Sequence, residues 1–396
     1  MSDGLLLERD GVEAVQDALR ALGLDGWLLY EFRQSNPVSA SLLALPWTTR
    51  RGFALIPAEG EPVALVHAIE KVQWKRWPWA SVHYSGWREL EAGLASLLRG
   101  RGRVAMETSP RSAVPTLDRV PVGIHQLVQE TGVEIVGSGD LVSAFHARWS
   151  AAQLVEHRRA AVVLQRTARE AFERAREAAA DDRPLTEGAL AAWIRSTLAD
   201  RGVGTDVGCI VAIGPRASDP HYDPGETGAS IERGEALLID LWGRTSEAAV
   251  PADQTWMGFL GSELPPRVAE VWAAVRDARD AVLDFLRARW DARETVRGFE
   301  ADDVARTLLT ERGWGEWFVH RTGHSIDRDL HGSGPNLDNL ETRDDRALLV
   351  GVGFSVEPGV YLPGELGVRS EVDVHWGEDG PEVTTPDPQH DVFLLP

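Results

Sequence analysis

Residues 236–256 read ALLIDLWGRTSEAAVPADQTW, and this stretch decides the architecture of the second half of the chain. An apolar run ends on Asp240, and Asp253 opens a second run thirteen residues later. Gly243 and Pro251 lie between the two runs, as expected for the connection of a β-hairpin. Two adjacent strands would bring the two carboxylates together. Taken singly, either aspartate is more often a turn residue at a strand end.

A histidine cluster follows. Residues 320–331 read HRTGHSIDRDLH and hold three of the 11 histidines in the chain. Neutral imidazole is a common metal ligand and carries protons near neutral pH. Any one of these histidines alone would more often be structural, but their clustering favours a functional site.

Two more carboxylates occur in residues 355–361, SVEPGVY, and residues 367–374, GVRSEVDV. Glu357 precedes a Pro-Gly pair, and strand alternation places Arg369, Glu371 and Asp373 on one face of a predicted strand. A carboxylate next to the core must be paired or bind a metal, because a buried unpaired charge is costly. For Glu371 alone, an ion pair with Arg369 remains an equal alternative.

Four carboxylates and one imidazole together carry too much negative charge to bury without cations. The predicted ligands are Asp240, Asp253, His324, Glu357 and Glu371. Two divalent ions roughly 3.5–4 Å apart would neutralise such a set. Oxygen-rich ligation favours Mn²⁺ or a similar hard ion over a structural zinc site, and leaves Co²⁺ or Zn²⁺ open as alternatives.

These motifs resemble those of the pita-bread metallopeptidases, which comprise aminopeptidase P, prolidase, methionine aminopeptidase and their creatinase relatives. The ligand order Asp, Asp, His, Glu, Glu and the local context of each ligand agree over about residues 150–396. The resemblance implies that Asp253 and Glu371 bridge two ions. Asp240 would complete one ion, and His324 and Glu357 would complete the other.

The same resemblance implies roles in catalysis. Glu357 would accept a proton from the attacking water. His221, in the sequence Asp-Pro-His-Tyr, would steady the intermediate and relay a proton to the leaving amine. His331 and His320 would contact the substrate, and Arg369 would orient a ligand and shape the pocket.

The sequence also departs from the family pattern. The interval between Asp240 and Asp253 is about two residues longer than usual, and Arg321 and Asp327 stand where small residues are frequent. These departures leave the ligands intact and concern the substrate side of the site.

A dipeptidase must recognise the free carboxylate of its substrate, usually with arginine. Arg343 and Arg346 follow His331 in the chain, and Arg50 and Arg51 lie in the first half. Arg343 is our candidate for the arginine that binds the substrate, although the sequence leaves all four arginines open.

The first half alternates helix and strand patterns, which predicts an α/β domain over residues 1–150. Val12–Leu22 has a helical pattern, and 27–30, 53–57 and 63–67 read as buried strands. The second half, residues 151–396, is predicted to be an α+β catalytic domain of the pita-bread, creatinase/aminopeptidase-like type. A long helix from Ala151 to Ala180 opens it. Prolidase, aminopeptidase P and creatinase also carry a separate α/β domain before this half.

The overall composition limits the kinds of partner that the protein is expected to bind. The net charge is −20 and the pI about 5.0, which disfavours binding to nucleic acid or to an anionic membrane. No run is apolar enough to span a bilayer. The single cysteine, Cys209, and an N-terminus without a signal-peptide pattern lead us to expect a cytoplasmic protein.

The resulting hypothesis is metal-dependent hydrolysis of the Xaa-Pro bond in small peptides, with dipeptides as the expected substrates, as in prolidase. The main alternative is an aminopeptidase P that acts on longer peptides. More remote alternatives are a creatinase-like amidinohydrolase and a non-catalytic binding module on the same fold, both of which lose the ligands in this family. The resemblance also implies a homodimer.

Overall fold

The chain divides into two units, Met1–Arg148 and Trp149–Pro396, in a computed structural model that describes residues 4–180, 185–205 and 208–396. Residues 1–3, which contribute to the expectation that there is no signal peptide, lie outside the described residues. Within the described part, none of the helices combines the length and the apolar character needed to cross a bilayer.

The first unit is built on one mixed six-stranded sheet. Its strands are β1 (Gly26–Glu31), β2 (Gly52–Pro57), β3 (Val63–His67), β4 (Ala80–Tyr84), β5 (Arg103–Met106) and β6 (Glu134–Gly137). Their order is β4-β3-β2-β1-β5-β6, with β1–β2 and β2–β3 antiparallel and the other pairs parallel. The helices are α1 (Arg9–Ala21), α2 (Pro37–Leu42), α3 (Trp87–Leu97), α4 (Val122–Gln129) and α5 (Gly139–Phe145).

Strand β1 is buried on both of its faces, which explains its uninterrupted apolar sequence. Trp27 packs in the cluster that includes Val15 of α1, whereas Leu28 packs in the cluster that includes Leu94 of α3. The sheet therefore separates two layers of helices, and the α/β class predicted for this half of the chain is confirmed.

The second unit contains long helices and several short sheets that are antiparallel except for the parallel pair β16–β9. The helices are α6 (Ala151–Ala180), α7 (Glu187–Asp200), α8 (Pro266–Asp291) and α9 (Gly298–Glu311). The strands are β7 (Cys209–Ile213), β8 (Ala236–Gly243), β9 (Ala252–Phe259), β10 (Ser325–Ile326), β11 (Gly353–Val356), β12 (Gly359–Leu362), β13 (Leu366–Arg369), β14 (Val372–Gly377), β15 (Gly380–Val383) and β16 (Phe393–Leu394). Their sheets have the orders β16-β9-β8-β7, β10-β11-β14-β15 and β12-β13.

The central sheet of this unit has two differently occupied faces. Successive side chains of β8 point to opposite faces. Leu237 and Ile239 pack in the cluster formed with α6 and α7, whereas Leu238 packs in the cluster formed with α8 and α9. Asp240 is two residues beyond Leu238 and so belongs to the face that looks towards α8 and α9.

One predicted strand is wrong. The alternation over residues 367–374 indicated a single strand, but the structure has two strands there that belong to different sheets. β13 pairs with β12, and β14 pairs with β11 and β15. Ser370 and Glu371 form the short link at which the chain changes sheets. A local alternation pattern contains no information about the partner strand.

Candidate metal centre and substrate cavity

The carboxylates of Asp240 and Asp253 lie on one face of the β7–β8–β9 sheet. In the register of β8 and β9, Asp240 is opposite Thr255, and Trp242 is opposite Asp253. Because residues two apart share a face, Asp240 and Asp253 point to the same side of the hairpin. Both side chains are buried.

A second segment adds an imidazole and a third carboxylate. His324 Nε2 lies 3.5 Å from Asp253 Oδ2 and 3.5 Å from Glu357 Oε1. The His324 backbone N–H donates to Ser355 Oγ at 3.0 Å, which ties the histidine to β11. The backbones approach closely here, because a Cβ on Gly323 would lie 1.9 Å from the Ser355 carbonyl oxygen.

Arg369 and Glu371 complete the cluster. The Arg369 guanidinium pairs with Asp240, and its Nε donates to Thr255 Oγ1 at 2.9 Å. Thr255 Oγ1 in turn donates to Glu371 Oε2 at 2.7 Å, and Arg369 also donates to Tyr361 Oη at 3.1 Å. The direct ion pair between Arg369 and Glu371 that the sequence left open is therefore replaced by a link through a threonine hydroxyl.

The donor set fits divalent metal. Ligand atoms of Asp253, His324 and Glu371 lie within 4.8 Å of one another. In the described part of the chain, the buried Oδ1 atoms of Asp240 and Asp253 accept no hydrogen bond. Burial and the neighbouring carboxylates raise the pKa of Asp253 and of Glu371 well above the ordinary values. One arginine cannot neutralise four such carboxylates, whereas divalent cations can.

These residues line a cavity of about 590 Å³. The predicted site residues that line it are Asp240, Asp253, His324, Glu357, Glu371, His221, His320, His331 and Arg369. Arg343 is not among its described lining residues; its guanidinium lies 4.4 Å from the ring centroid of Phe299.

The cavity histidines are held in different ways. His331 packs edge-on against His324 with ring centroids 4.4 Å apart, and Asp327 holds its loop by accepting hydrogen bonds from Ser333. The charge of His324 and burial lower the pKa of His331 to about 4. His320 Nε2 lies 2.8 Å from Tyr361 Oη, and burial lowers the pKa of His320 to about 4. Both rings are therefore neutral at pH 7.

Sequence reasoning missed several residues that line the cavity. Ile210, Trp242, Val319 and Leu330 form apolar parts of its wall. The position of Trp242 was readable, because it is two residues beyond Asp240 on the same strand face. Glu341, also in the lining, carries no pattern that would mark it, whereas Arg321 was marked in the sequence only as a departure from the family pattern.

A second layer of buried polar groups supports Asp253. Asp373 Oδ2 accepts from the Asp253 backbone N–H at 2.8 Å and lies 3.6 Å from His157 Nε2. That nitrogen is 2.7 Å from Thr384 Oγ1, and the ring of Trp149 packs on His157 at a centroid distance of 4.4 Å. Contacts of this kind orient a metal ligand without touching the ion.

The segment that bears His221 is held by Glu187, a fully buried residue at the start of α7. Glu187 Oε2 accepts from Tyr222 Oη and from the Ala229 N–H, both at 2.7 Å. Its Oε1 accepts from the Ile213 N–H at 2.8 Å. One carboxylate thus connects the end of β7 to Tyr222 and Ala229 in the segment that carries His221.

Comparison with known proteins identifies the class. The model of metallopeptidase family M24 matches residues 156–378, more than half of the chain. The chain belongs to this family, and its second unit has the pita-bread fold that the ligand motifs predicted. The protein is a peptidase with a donor set suited to divalent metal.

Individual relatives are dipeptidases by name. The chain is 27% identical over 346 residues to the probable dipeptidase PepE of Mycobacterium tuberculosis, covering 86% of this chain and 85% of that protein. It is 32% identical over 189 residues to the Xaa-Pro dipeptidase of Lactobacillus delbrueckii subsp. lactis, covering 47% of each. The crystal structure of dipeptidase PepE from Mycobacterium ulcerans superposes over 100% of both chains with a TM-score of 0.74 at 23% identity, which supports the fold.

Proposed function

We propose that this protein hydrolyses the Xaa-Pro bond of dipeptides with two divalent metal ions. The observation that carries the proposal is the convergence of five ligand residues, three histidines and an apolar wall in one cavity. A relative named Xaa-Pro dipeptidase, 32% identical over its aligned half, supports the specificity.

The ligands would be Asp240, Asp253, His324, Glu357 and Glu371. When bound, two such ions lower the pKa of a water molecule and polarise the scissile carbonyl. Glu357 lies 3.5 Å from His324 and faces the cavity, so its carboxylate can accept the proton of the attacking water.

The histidines would serve the substrate. His221 stands on a loop at the cavity, where its imidazole can give a proton to the leaving proline nitrogen. His331 is neutral at pH 7, so its imidazole can donate one hydrogen bond and accept another. His320 is also neutral, but its nitrogens are engaged by the Arg321 carbonyl and Tyr361 Oη, so it would meet the substrate through the edge of its ring. Arg369 keeps Asp240 and Tyr361 in place beside them.

Proline makes the scissile bond a tertiary amide without an N–H. A pocket for proline needs an apolar surface near the leaving nitrogen. It needs no hydrogen-bond acceptor at that place, because the proline nitrogen has no N–H to donate. Ile210, Trp242, Val319 and Leu330 supply apolar surface in the cavity.

The test is hydrolysis of Ala-Pro, Ala-Pro-Ala-Ala and Ala-Ala by metal-stripped protein before and after addition of Mn²⁺. We expect cleavage of Ala-Pro only after metal is restored. The variant Asp253→Asn should lose both metal and turnover. Arg287→Ala, which removes an exposed guanidinium on α8 outside the cavity, should behave like the unaltered protein.

Preference for Ala-Pro-Ala-Ala over Ala-Pro would replace the dipeptidase proposal with an aminopeptidase P. Equal cleavage of Ala-Ala would refute the Xaa-Pro specificity while leaving a metal-dependent peptidase. Metal binding without hydrolysis of any peptide would refute the proposed reaction.

We also propose that Mn²⁺ is the working ion and that the protein is a cytoplasmic homodimer. The hard oxygen ligands favour Mn²⁺ over zinc. Metal analysis of the protein isolated from its own cells tests the first proposal. A monomeric mass by light scattering at working concentration would refute the second.

A further inference from the structure

One cationic side chain that lines the cavity has no side-chain partner among the described residues. Arg321 is half-buried and lines the cavity. Its backbone is engaged, since the N–H donates to Glu341 Oε1 at 3.3 Å and the carbonyl lies 2.7 Å from His320 Nδ1. Within the described residues, the guanidinium itself makes no ion pair, hydrogen bond or ring contact and acts only through its charge.

Other arginines near this part of the fold are occupied. Arg369, which also lines the cavity, is bound by Asp240, Thr255 and Tyr361. Arg346 is buried, pairs with Asp344 and donates to two loop carbonyls outside the cavity. A guanidinium with its donors already used cannot take a substrate carboxylate without losing those bonds.

Arg321 stands in the same cavity as the reacting groups. His221, His331 and Glu357 line that cavity together with Arg321. Arg321 therefore shares the cavity wall with the histidines proposed to serve the substrate and with Glu357.

The chemistry of a dipeptide requires a cation at such a place. In Xaa-Pro, the carbon that bears the carboxylate is attached directly to the scissile nitrogen. A group that binds this carboxylate must therefore stand within one side chain's reach of the group that protonates the nitrogen. His221 has that role in the proposed reaction, and His221 and Arg321 line the same cavity.

We infer that Arg321 binds the C-terminal carboxylate of the substrate and thereby selects dipeptides over longer peptides. This inference rests on the proposed function. A planar guanidinium binds a carboxylate through two parallel hydrogen bonds. A longer peptide or a carboxamide presents no charge there and leaves the guanidinium unpaired, which disfavours its binding. Glu341, which accepts from the Arg321 backbone N–H and also lines the cavity, would repel the substrate carboxylate from its own part of the wall.

The first experiment measures hydrolysis of Ala-Pro and of Ala-Pro amide by the metal-loaded protein. For Arg321→Ala we expect KM for Ala-Pro to rise about 10- to 100-fold, as when a charged hydrogen-bond pair is lost, with kcat changed less than about threefold. The preference for Ala-Pro over its amide should fall by the same factor. Arg321→Lys should recover part of it, because a lysine keeps the charge but not the paired donors.

Arg287→Ala serves as the matched control and should keep the unaltered preference. An equal loss on both substrates with Arg321→Ala would overturn the inference, as would an unchanged KM for Ala-Pro. A loss of carboxylate preference with Arg343→Ala, but not with Arg321→Ala, would overturn it in favour of the arginine chosen from the sequence.

The second experiment separates this inference from the proposed reaction. Calorimetry would measure the binding of L-proline and L-prolinamide to the metal-loaded protein, with no turnover required. Binding of proline that weakens about 10-fold or more in Arg321→Ala, without a matching change for prolinamide, supports the carboxylate site even if Ala-Pro is not hydrolysed. Ala-Pro hydrolysis together with proline binding that is independent of Arg321 refutes the site and leaves the proposed function standing.

Discussion

The buried carboxylate of Glu187 allows a sharp prediction about the loop of His221. Its two oxygens accept three hydrogen bonds, from the Ile213 N–H at 2.8 Å and from Tyr222 Oη and the Ala229 N–H at 2.7 Å each. Tyr222 is the residue after His221. Weakening these bonds should therefore lower both the free energy of unfolding and the turnover.

The magnitude follows from the hydrogen bonds that each variant loses. In Glu187→Gln, the side-chain amide has only one acceptor oxygen. The fewest bonds are lost when this oxygen takes the place of Oε2 and keeps Tyr222 and Ala229. The NH₂ group then faces the Ile213 N–H, which loses its acceptor. An orphaned buried N–H costs about 1–3 kcal/mol, and two remaining bonds that lose charge assistance cost about 1 kcal/mol each, giving roughly 3–5 kcal/mol. Tyr222→Phe removes one bond to an ionised group and should cost about 1.5–3 kcal/mol.

Urea unfolding followed by circular dichroism measures the stability, and Ala-Pro hydrolysis measures the turnover. Because Tyr222 adjoins His221, a shift of about 1 Å in the loop should lower kcat in Tyr222→Phe by roughly 10-fold or more. The metal content should stay unchanged, since among the described residues neither Glu187 nor Tyr222 hydrogen-bonds to any of the five proposed ligands. Combining the two variants should cost less than their sum by at least about 1 kcal/mol, because they share a bond.

Two results would refute this reasoning. Strict additivity of the two substitutions would mean that the Tyr222 hydroxyl and the Glu187 carboxylate are not coupled in solution. A clear loss of stability with an unchanged kcat would mean that the contact holds the loop without positioning His221.

Three further predictions concern other parts of the second unit. His221→Ala should keep its metal and lose turnover about 10²-fold, as for a lost acid–base group; full activity in this variant would show that the role is misassigned. Burial lowers the pKa of His157 to about 3, so only the unfolded chain takes up this proton as pH falls below about 6.5. Because of that depressed pKa, the free energy of unfolding should fall by about 2 kcal/mol between pH 7 and pH 5. His157→Gln should lack this part of the pH dependence. The same pH dependence in both proteins would show that His157 is not its source. In Gly367→Ala, a Cβ would lie 1.6 Å from the Ala217 carbonyl oxygen, so we expect a loss of about 3 kcal/mol or more; a melting temperature within about 2 °C of the unaltered protein would contradict the packing described here.

Local patterns predicted the long elements of this fold well. The helix predicted from Ala151 to Ala180 has those bounds in the structure, because a run of strong helix formers without Gly or Pro needs no tertiary information. The short helix α2 and the edge strand β4 were not predicted. Six residues give too few periods to detect, and β4 is largely exposed, so it lacks the alternation of a half-buried strand.

The candidate site divides in the same way. The residue types that can bind metal were readable, because each of the five lies in a short motif whose strand and turn residues are local. What those ligands do in solution stays a prediction that the experiments above address. The pairing of Arg369 with Asp240 joins residues 129 positions apart, and no pattern in the sequence indicates it.

The sequence by itself determined the class of this protein, because apolar strands that end on carboxylates, followed by a histidine cluster, can be recognised within windows of about ten residues. Only the tertiary structure decided which arginines line the cavity. Arg343 was chosen from its position in the chain, yet it stacks on Phe299, whereas Arg321 lines the cavity and its guanidinium has no partner among the described residues. The physical reason is that a long charged side chain is directed by its surroundings, and those surroundings come from segments far apart in the chain.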